Sequence, residues 1–314
     1  MSEIVVDICD PRAHETELKE LFARNGKPGF DAAFDRVYRV RAGQGMRSWI
    51  GRVDGRAVSH IAVTPMRFGG AGQIRLGGVM GDLMVDEAHR DFWAPVRLLR
   101  KMVADLKREG VTEFLVTTSV PDAESVFKAG GFKPFGTLHR YVMPLFLPFL
   151  LFKRVTSGQL RAPRARVLAG AGRATPRVDE GAPRFRPITT PAFYDERIPR
   201  SDWADLTWLN LTSDSDALVS RHSTDPELRL VDAFGADARA LRAALQAAAR
   251  WGRKQRLKKF AATTLKESAL AGELKRAGFL ERDFRSTLLV QKLGAAPLPP
   301  VADWFLLEFA LSSW

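Results

Sequence analysis

A single cysteine, Cys9, stands among the 314 residues, so no internal disulfide can form, and no Cys/His cluster marks a structural zinc site. Cys9 reads as a small apolar residue in a first strand. Membrane-length apolar runs are missing as well: Pro144–Phe152 is far too short to span a bilayer and contains two prolines. The amino-terminal Met-Ser-Glu-Ile-Val-Val-Asp lacks a basic segment leading into an apolar one, so a cytoplasmic address is expected. Acidic residues are in deficit, 36 against 48 Lys and Arg, which leaves a net charge of +12 carried mostly by arginine. That charge concentrates anionic partners such as CoA, nucleic acid or an acidic membrane surface without choosing among them. A solvated cationic face without any partner accounts for it equally well.

What is present is the composition of a folded protein, long enough for two domains that each bury a core. Periodicity predicts a strand at Ile4–Ile8, a helix at Glu17–Ala23 and a second helix at Phe30–Val40. Strands at Arg47–Val53 and Arg56–Pro65 flank Asp54-Gly55, a strong hairpin signal. Ile74–Val85 completes an antiparallel meander, where Gly77, Gly78 and Gly81 point to a bulge or a close backbone approach. There follow a helix at Pro95–Glu109, strand Glu113–Thr118, helix Asp122–Ala129 and a strand near Thr137–Met143. Residues 144–152 read as an apolar strap, and 153–184 as a basic linker with Arg161, Arg164, Arg166, Arg173 and Arg177 strewn among Ala, Gly and Pro. An apolar segment beside basic residues also suits a peripheral anchor on an anionic membrane.

A second unit repeats the pattern with strand Leu228–Phe234, helix Ala238–Gln255, strand Lys259–Thr264, helix Glu267–Ala277 and strand Phe284–Val290. Glu113-Phe-Leu-Val-Thr-Thr118 is echoed by Lys259-Phe-Ala-Ala-Thr-Thr264, and Ala129-Gly-Gly-Phe132 by Ala277-Gly-Phe279. This is an internal repeat. The expected domains are therefore 1–152, the linker 153–184, and 185–314. The apolar Trp304–Trp314 is expected to form a last strand or strap buried on the second unit.

The segment Val85-Asp-Glu-Ala-His-Arg-Asp-Phe-Trp-Ala-Pro-Val-Arg-Leu-Leu99, followed by Ala129-Gly-Gly-Phe132, resembles the acyl-CoA-binding core of the GNAT N-acyltransferase superfamily. The family pattern is strand, Val-x-Pro-x-x-Arg-Gly-x-Gly-x-Gly/Ala, helix, and later Leu-Tyr-x-x-x-Gly-Phe. The order of elements over residues 1–143 is similar too. The resemblance implies an α/β (α+β) protein of two GNAT-like units, each a mixed, mostly antiparallel sheet flanked by helices, the second unit being degenerate. It also implies acetyl-CoA or another acyl-CoA as co-substrate, with no metal. Leu83, Met84 and Val85 match the strand that pairs with the pantetheine arm. Arg90, Asp91, Phe92, Trp93 and Ala94 match the loop and helix start that hold the pyrophosphate, where backbone N–H groups and the helix dipole favour anions. Arg90 keeps the usual Arg/Gln position, whereas Asp91, Trp93 and Pro95 replace the three glycines.

Acyl transfer to an amine needs a base and a proton donor. The positions where relatives carry the base, Gly81 and Val79, cannot titrate. Asp82 is adjacent, on the opposite face by alternation, and a bulge at Gly77-Gly78 or Gly81 would redirect it to act as base. Phe127 stands where the family has tyrosine, so Tyr141, with His139 beside it on the last strand, is the substitute donor. His14, His60, His89 and His222 read as packed, capping or solvated residues. In the second unit Gly235-Ala-Asp-Ala238 turns directly into a helix with no glycine loop. Asp216-Ala-Leu-Val-Ser-Arg-His-Ser-Thr-Asp-Pro226 resembles a tandem-GNAT segment that has Trp at Ser220 and Tyr at His222. Three functions stay open: acyl transfer from acyl-CoA to a small-molecule or peptide acceptor, transfer from aminoacyl-tRNA, and a catalytically silent binding protein on the same fold.

Overall fold

The computed structural model describes residues 4–27, 34, 38, 45–70, 72–90, 93–145, 166–168, 185–188, 203–212, 215–222 and 225–307. They divide into two compact units. Unit 1 comprises Met1–Phe135, Thr287–Leu298 and Leu311–Trp314, and unit 2 comprises Gly136–Ser286 and Pro299–Ala310. The boundary thus falls at residue 135 rather than 152, and unit 1 takes back a stretch from the second half of the chain. Residues 146–152 of the expected strap and all of the linker except 166–168 lie outside the described residues. Among the described residues no helix is long and apolar enough to cross a membrane.

Unit 1 runs β1 (Val5–Cys9), α1 (Glu15–Arg24), β2 (Arg47–Val53), β3 (Arg56–Gly70), β4 (Gln73–Val85), a 3-10 turn (Glu87–His89), α2 (Trp93–Arg108), β5 (Glu113–Thr118) and α3 (Pro121–Ala129). Asp54 and Gly55 both take positive φ, 50° and 79°, so the first hairpin turns with the handedness that matches strand twist. Leu18, Leu21 and Phe22 put an apolar stripe on one side of α1, and Val96, Leu99, Met102, Val103 and Leu106 do so on α2. These stripes cover opposite faces of the sheet. Leu18, Phe22, Ile50 and Ala62 form one core, and Trp49, Ile61, Val63, Leu99 and Phe114 form the other. Of the helix expected at 30–40 only Phe34 and Tyr38 are described, both buried, with rings 5.0 Å apart.

The remaining elements are β6 (Lys133–Pro144), β7 (Arg166–Leu168), β8 (Arg186–Pro187), β9 (Trp203–Thr212), β10 (Ser215–His222), β11 (Glu227–Gly235), α4 (Ala238–Lys254), β12 (Lys259–Leu265), α5 (Ala269–Ala277), β13 (Leu280–Lys292) and a 3-10 turn (Val301–Asp303). Within unit 2 the sheet order is β13-β6-β12-β11-β10-β9-β7, with the core formed by Leu228, Leu241, Leu245, Phe260, Leu274 and their neighbours. The repeat is also visible in its helix ends. Gly131 and Gly278 take φ of 97° and 104°, and the next residues, Phe132 and Phe279, donate back to Phe127 and Leu274 at 3.0 Å. Each Gly-Phe therefore closes a nine-residue helix and plants a buried ring.

The last strand of each repeat does not stay with its own half. From Gly136 onward β6 belongs to unit 2, pairing antiparallel with β12 from Leu138↔Leu265 to Pro144↔Lys259. From Thr287 onward β13 belongs to unit 1, pairing antiparallel with β5 from Thr287↔Thr118 to Lys292↔Glu113. The two strands are equivalent in the repeat. Their alternation fixes which face is buried but not which neighbour they join.

Candidate functional site

In unit 1, β4 and β5 pair in parallel over only three residues, Gly77↔Glu113, Gly78↔Phe114 and Val79↔Leu115. Beyond them the strands part, so Met80–Val85 presents a strand edge that β5 has vacated. The glycines belong to the apex of this opening. A Cβ on Gly77 would meet the Phe68 ring at 2.7 Å, and one on Gly78 would meet Phe114 at 2.8 Å and Val63 at 2.9 Å. Their lack of a side chain lets aromatic rings lie on the strand. The close approach is the correct reading there, since the β3–β4 ladder runs unbroken past Gly77 and Gly78.

The bulge lies further on, at Asp82. The ladder passes from Ala62↔Gly81 to His60↔Met84, so Asp82 and Leu83 together face the single residue Ile61. Asp82 takes φ of 57°, a conformation few non-glycine residues adopt. The consequence is a change of face. Met80 and Leu83 pack with the core under α2, whereas Met84 packs with the core under α1, so the simple alternation that put Asp82 opposite Leu83 does not hold across this point. Met84 is committed to that core by its side chain, and what it can offer a ligand is backbone.

His60 sits beneath the bulge, fully buried. Its Nδ1 lies 3.2 Å from the Asp82 carbonyl oxygen, and its Nε2 lies 2.9 Å from Ser48 Oγ. Its ring meets Phe22 and Tyr38 edge-on, at 5.9 and 5.6 Å. Burial pulls its pKa down to about 4, so the ring is neutral at physiological pH. Cys9 pairs with Ser48 across the β1–β2 ladder, and burial pushes its thiol up to about 12.

Arg90, exposed at the end of the loop after β4, is engaged by neighbouring groups of the protein. Its Nε donates to the Val85 carbonyl at 3.1 Å, and its Nη2 donates to Asn25 Oδ1 at 3.0 Å. Asn25, just past the end of α1, also accepts from the Glu87 N–H at 3.1 Å, and Arg24 of that helix pairs with Asp86. The loop after β4 is thus pinned to α1. At the start of α2, Trp93 is 58% exposed and Ala94 is buried; Pro95, in the first turn, brings no N–H. Asp91 and Phe92 lie outside the described residues.

Tyr141 is not brought together with Asp82 in one unit. It belongs to unit 2, fully buried in that unit's core, and its hydroxyl has no hydrogen-bond partner among the described residues. Burial, with Glu281 adding to it, pushes its pKa up to about 12. His139, also in unit 2, pairs with Glu281 at 2.7 Å. Phe127 fills core space, its ring 5.4 Å from that of Phe132. His60 has more partners than the packed residue its sequence suggests, and Ser48 carries no sequence signal, since no local pattern links positions 48, 60 and 82. Glu113, a buried carboxylate whose pKa burial raises, carries none either, and lies at the closed end of the opening. Among the described residues no three or more His, Cys, Asp or Glu side chains converge as metal ligands would.

Unit 2 makes the same opening and fills it. β11 and β12 pair in parallel only from Glu227↔Lys259 to Arg229↔Ala261, and β11 carries its own bulge, the ladder stepping from Val219↔Leu230 to Leu218↔Asp232. β6 occupies one edge of β12 throughout, so the bridge Thr264↔Leu307 lies on the edge that β11 leaves. Thr264 Oγ1 donates to the Leu306 carbonyl at 2.5 Å, and the Phe305 N–H donates to Phe185 at 2.8 Å. Arg186 then reaches β11, bonding the Ala233 carbonyl at 3.3 Å and Asp232 at 2.6 Å. Trp304–Leu307 is buried, as expected for that strap; residues 308–314 lie outside the described residues. The N-terminus of α4 is occupied as well, the Asp237 carboxylate accepting from the Ala240 N–H at 2.7 Å.

No family model and no curated protein matches the sequence. Solved structures do match. A protein from Enterococcus faecalis described as a probable N-acyltransferase superposes with a TM-score of 0.63 at 10% identity, covering 93% of this chain and 73% of that one. A GCN5-related N-acetyltransferase from Anabaena variabilis gives 0.62 at 11% identity, covering 92% and 73%. A tandem GNAT protein from the clavulanic acid biosynthesis pathway gives 0.51 at 12% identity, covering 94% and 100%. The chain has the fold of the GCN5-related N-acetyltransferases, a mixed and mostly antiparallel sheet flanked by helices.

Proposed function

We propose that the chain is an acyltransferase whose first unit takes an acyl group from acyl-CoA, acetyl-CoA in the simplest case, for transfer to an amine or hydroxyl acceptor. The observation that carries this reading is the vacated β4 edge of unit 1, which lies between a bulge and a helix start. An extended arm bearing amides adds to such an edge as a strand would. Leu83, Met84 and Val85 would hold that arm by their backbone. The start of α2 would face the phosphates, with Trp93 beside them and Arg90 available once it leaves Val85. Acyl-CoA supplies an activated thioester. Asp82, next to the edge, takes the acceptor's proton as general base.

Isothermal titration of the full chain with acetyl-CoA tests this reading. Saturable heat that CoA competes away is expected. No heat at millimolar acetyl-CoA, from protein shown to be folded, overturns it. A second reading is favoured by one observation: Arg90 is engaged with Val85 and Asn25, and Pro95 withholds an N–H, which suits a donor lacking the CoA pyrophosphate. Aminoacyl-tRNA is such a donor, and the net charge of +12 suits RNA. Retention on tRNA that falls steeply with salt, in protein that ignores acetyl-CoA, would select it.

A further inference from the structure

At the Asp82 bulge a half-buried backbone carbonyl needs a donor, and His60 Nδ1, on a fully buried ring, is at hydrogen-bond distance from it. A carbonyl oxygen only accepts, so Nδ1 carries the ring proton. Nε2 is then the acceptor, and the Ser48 hydroxyl donates to it. The chain of donors has one direction, from Ser48 through His60 to the Asp82 carbonyl. It ends at the residue whose positive φ decides that Leu83 turns to the α2 face and Met84 to the α1 face. An apolar residue at position 60 would suit the surrounding Phe22 and Tyr38 rings better than a histidine; only the carbonyl calls for a donor.

We propose that His60 is a positioning residue of the acyl-transfer site: its Nδ1–H holds the Asp82 carbonyl in the bulge, the Ser48 hydroxyl braces the ring at its bare Nε2, and the vacated β4 edge is thereby kept in register. This rests on the reading of unit 1 as an acyl-CoA site. Loss of the lock lets the bulge migrate, and a one-residue slip carries Leu83 to the wrong face.

Two measurements test it. In protein labelled with 15N-histidine, His60 is expected to show a protonated Nδ1 and a bare Nε2; the reverse tautomer overturns the proposal. In acetyl-CoA titrations of the full chain, His60→Leu, folded by circular dichroism, is expected to bind about tenfold more weakly, since small misplacements at a reacting site cost that much or more. His60→Gln, whose amide can donate to Asp82 and accept from Ser48, is expected to recover most of the loss. Folded His60→Leu with wild-type affinity overturns the proposal, as does failure of the Gln variant to recover any of it. Should His60→Leu not fold, Ser48→Ala serves instead: the carbonyl should keep Nδ1 protonated while the unbraced ring weakens acetyl-CoA binding, and loss of the Nδ1 proton or unchanged affinity overturns the proposal. Wild-type protein with the expected tautomer but no acetyl-CoA heat would count against the functional reading alone.

Discussion

In both units two parallel strands pair over three residues and then separate beside a bulge, β4 from β5 in unit 1 and β11 from β12 in unit 2. Unit 2 gives the vacated edge to its own chain, through Leu307 on β12 and Arg186 on β11, and caps the adjoining helix with Asp237. In unit 1 no segment among the described residues pairs with the corresponding edge, and the loop that follows is tied to α1 instead. A repeated opening has thus been kept as a surface in one copy and converted to core in the other. The difference comes from chain outside the repeat proper, Phe185–Pro187 and Trp304–Leu307, and not from the paired strands themselves.

The largest test of that contrast is Phe305→Ala, which removes a buried ring from the filled opening and should destabilise the protein by about 3–5 kcal/mol in urea titration. Acetyl-CoA affinity should be unchanged, because the filler serves unit 2. A loss of binding in folded protein would break the division of roles. The next effect is on pH dependence. The folded pKa of His60, about 4, lies below the ordinary 6.5, so between those values the unfolded chain binds a proton that the folded chain does not. Stability should therefore fall by about 3 kcal/mol as pH drops from 6.5 to 4, then level off for this group, and His60→Gln should remove that increment.

Gly78→Ala places a methyl group against Phe114 and Val63 at the apex of the open copy and should cost about 1–3 kcal/mol in thermal unfolding. Asp237→Ala should cost about 1 kcal/mol by losing a helix cap. It should add no second acetyl-CoA per chain, because Leu307 still takes the neighbouring edge; a stoichiometry rising from one to two would show that the cap alone had closed unit 2. The smallest effect is expected for Trp93→Ala, whose exposed ring should leave stability within about 0.5 kcal/mol while weakening acetyl-CoA binding.

Much of the fold was legible because its signals are local. Asp54-Gly55 turns the hairpin as its sequence demands, β5 spans Glu113–Thr118 as read, and both Gly-Phe pairs close their helices. β9 and β10 escaped notice, and for β10 the reason is plain. Ser215–Ser220 is buried at every position, so it shows none of the alternation that marks a half-exposed strand. At the site, the glycines were read as a bulge or a close approach, and the structure divides these between two places. Gly77 and Gly78 make room for rings, while the bulge falls on Asp82, where aspartate tolerates a positive φ without marking which aspartate of the chain will take it. Tyr141, expected as a substitute donor because Phe127 stands in the place of tyrosine, lies on a strand that belongs to unit 2 from Gly136 onward, and no local pattern shows that exchange of last strands.

By itself the sequence determined the order of elements, the duplication, the turns and the caps, since hydrogen bonds and steric limits between residues a few positions apart set these. Tertiary structure decided which strand closes which sheet, which face Leu83 shows, and which opening is filled. Those outcomes hang on contacts between distant residues: His60 with Asp82 across 22 positions, Thr264 with Leu306 across 42, and Arg186 with Asp232 across 46. Such contacts form only once the sheet exists, and no local pattern carries them.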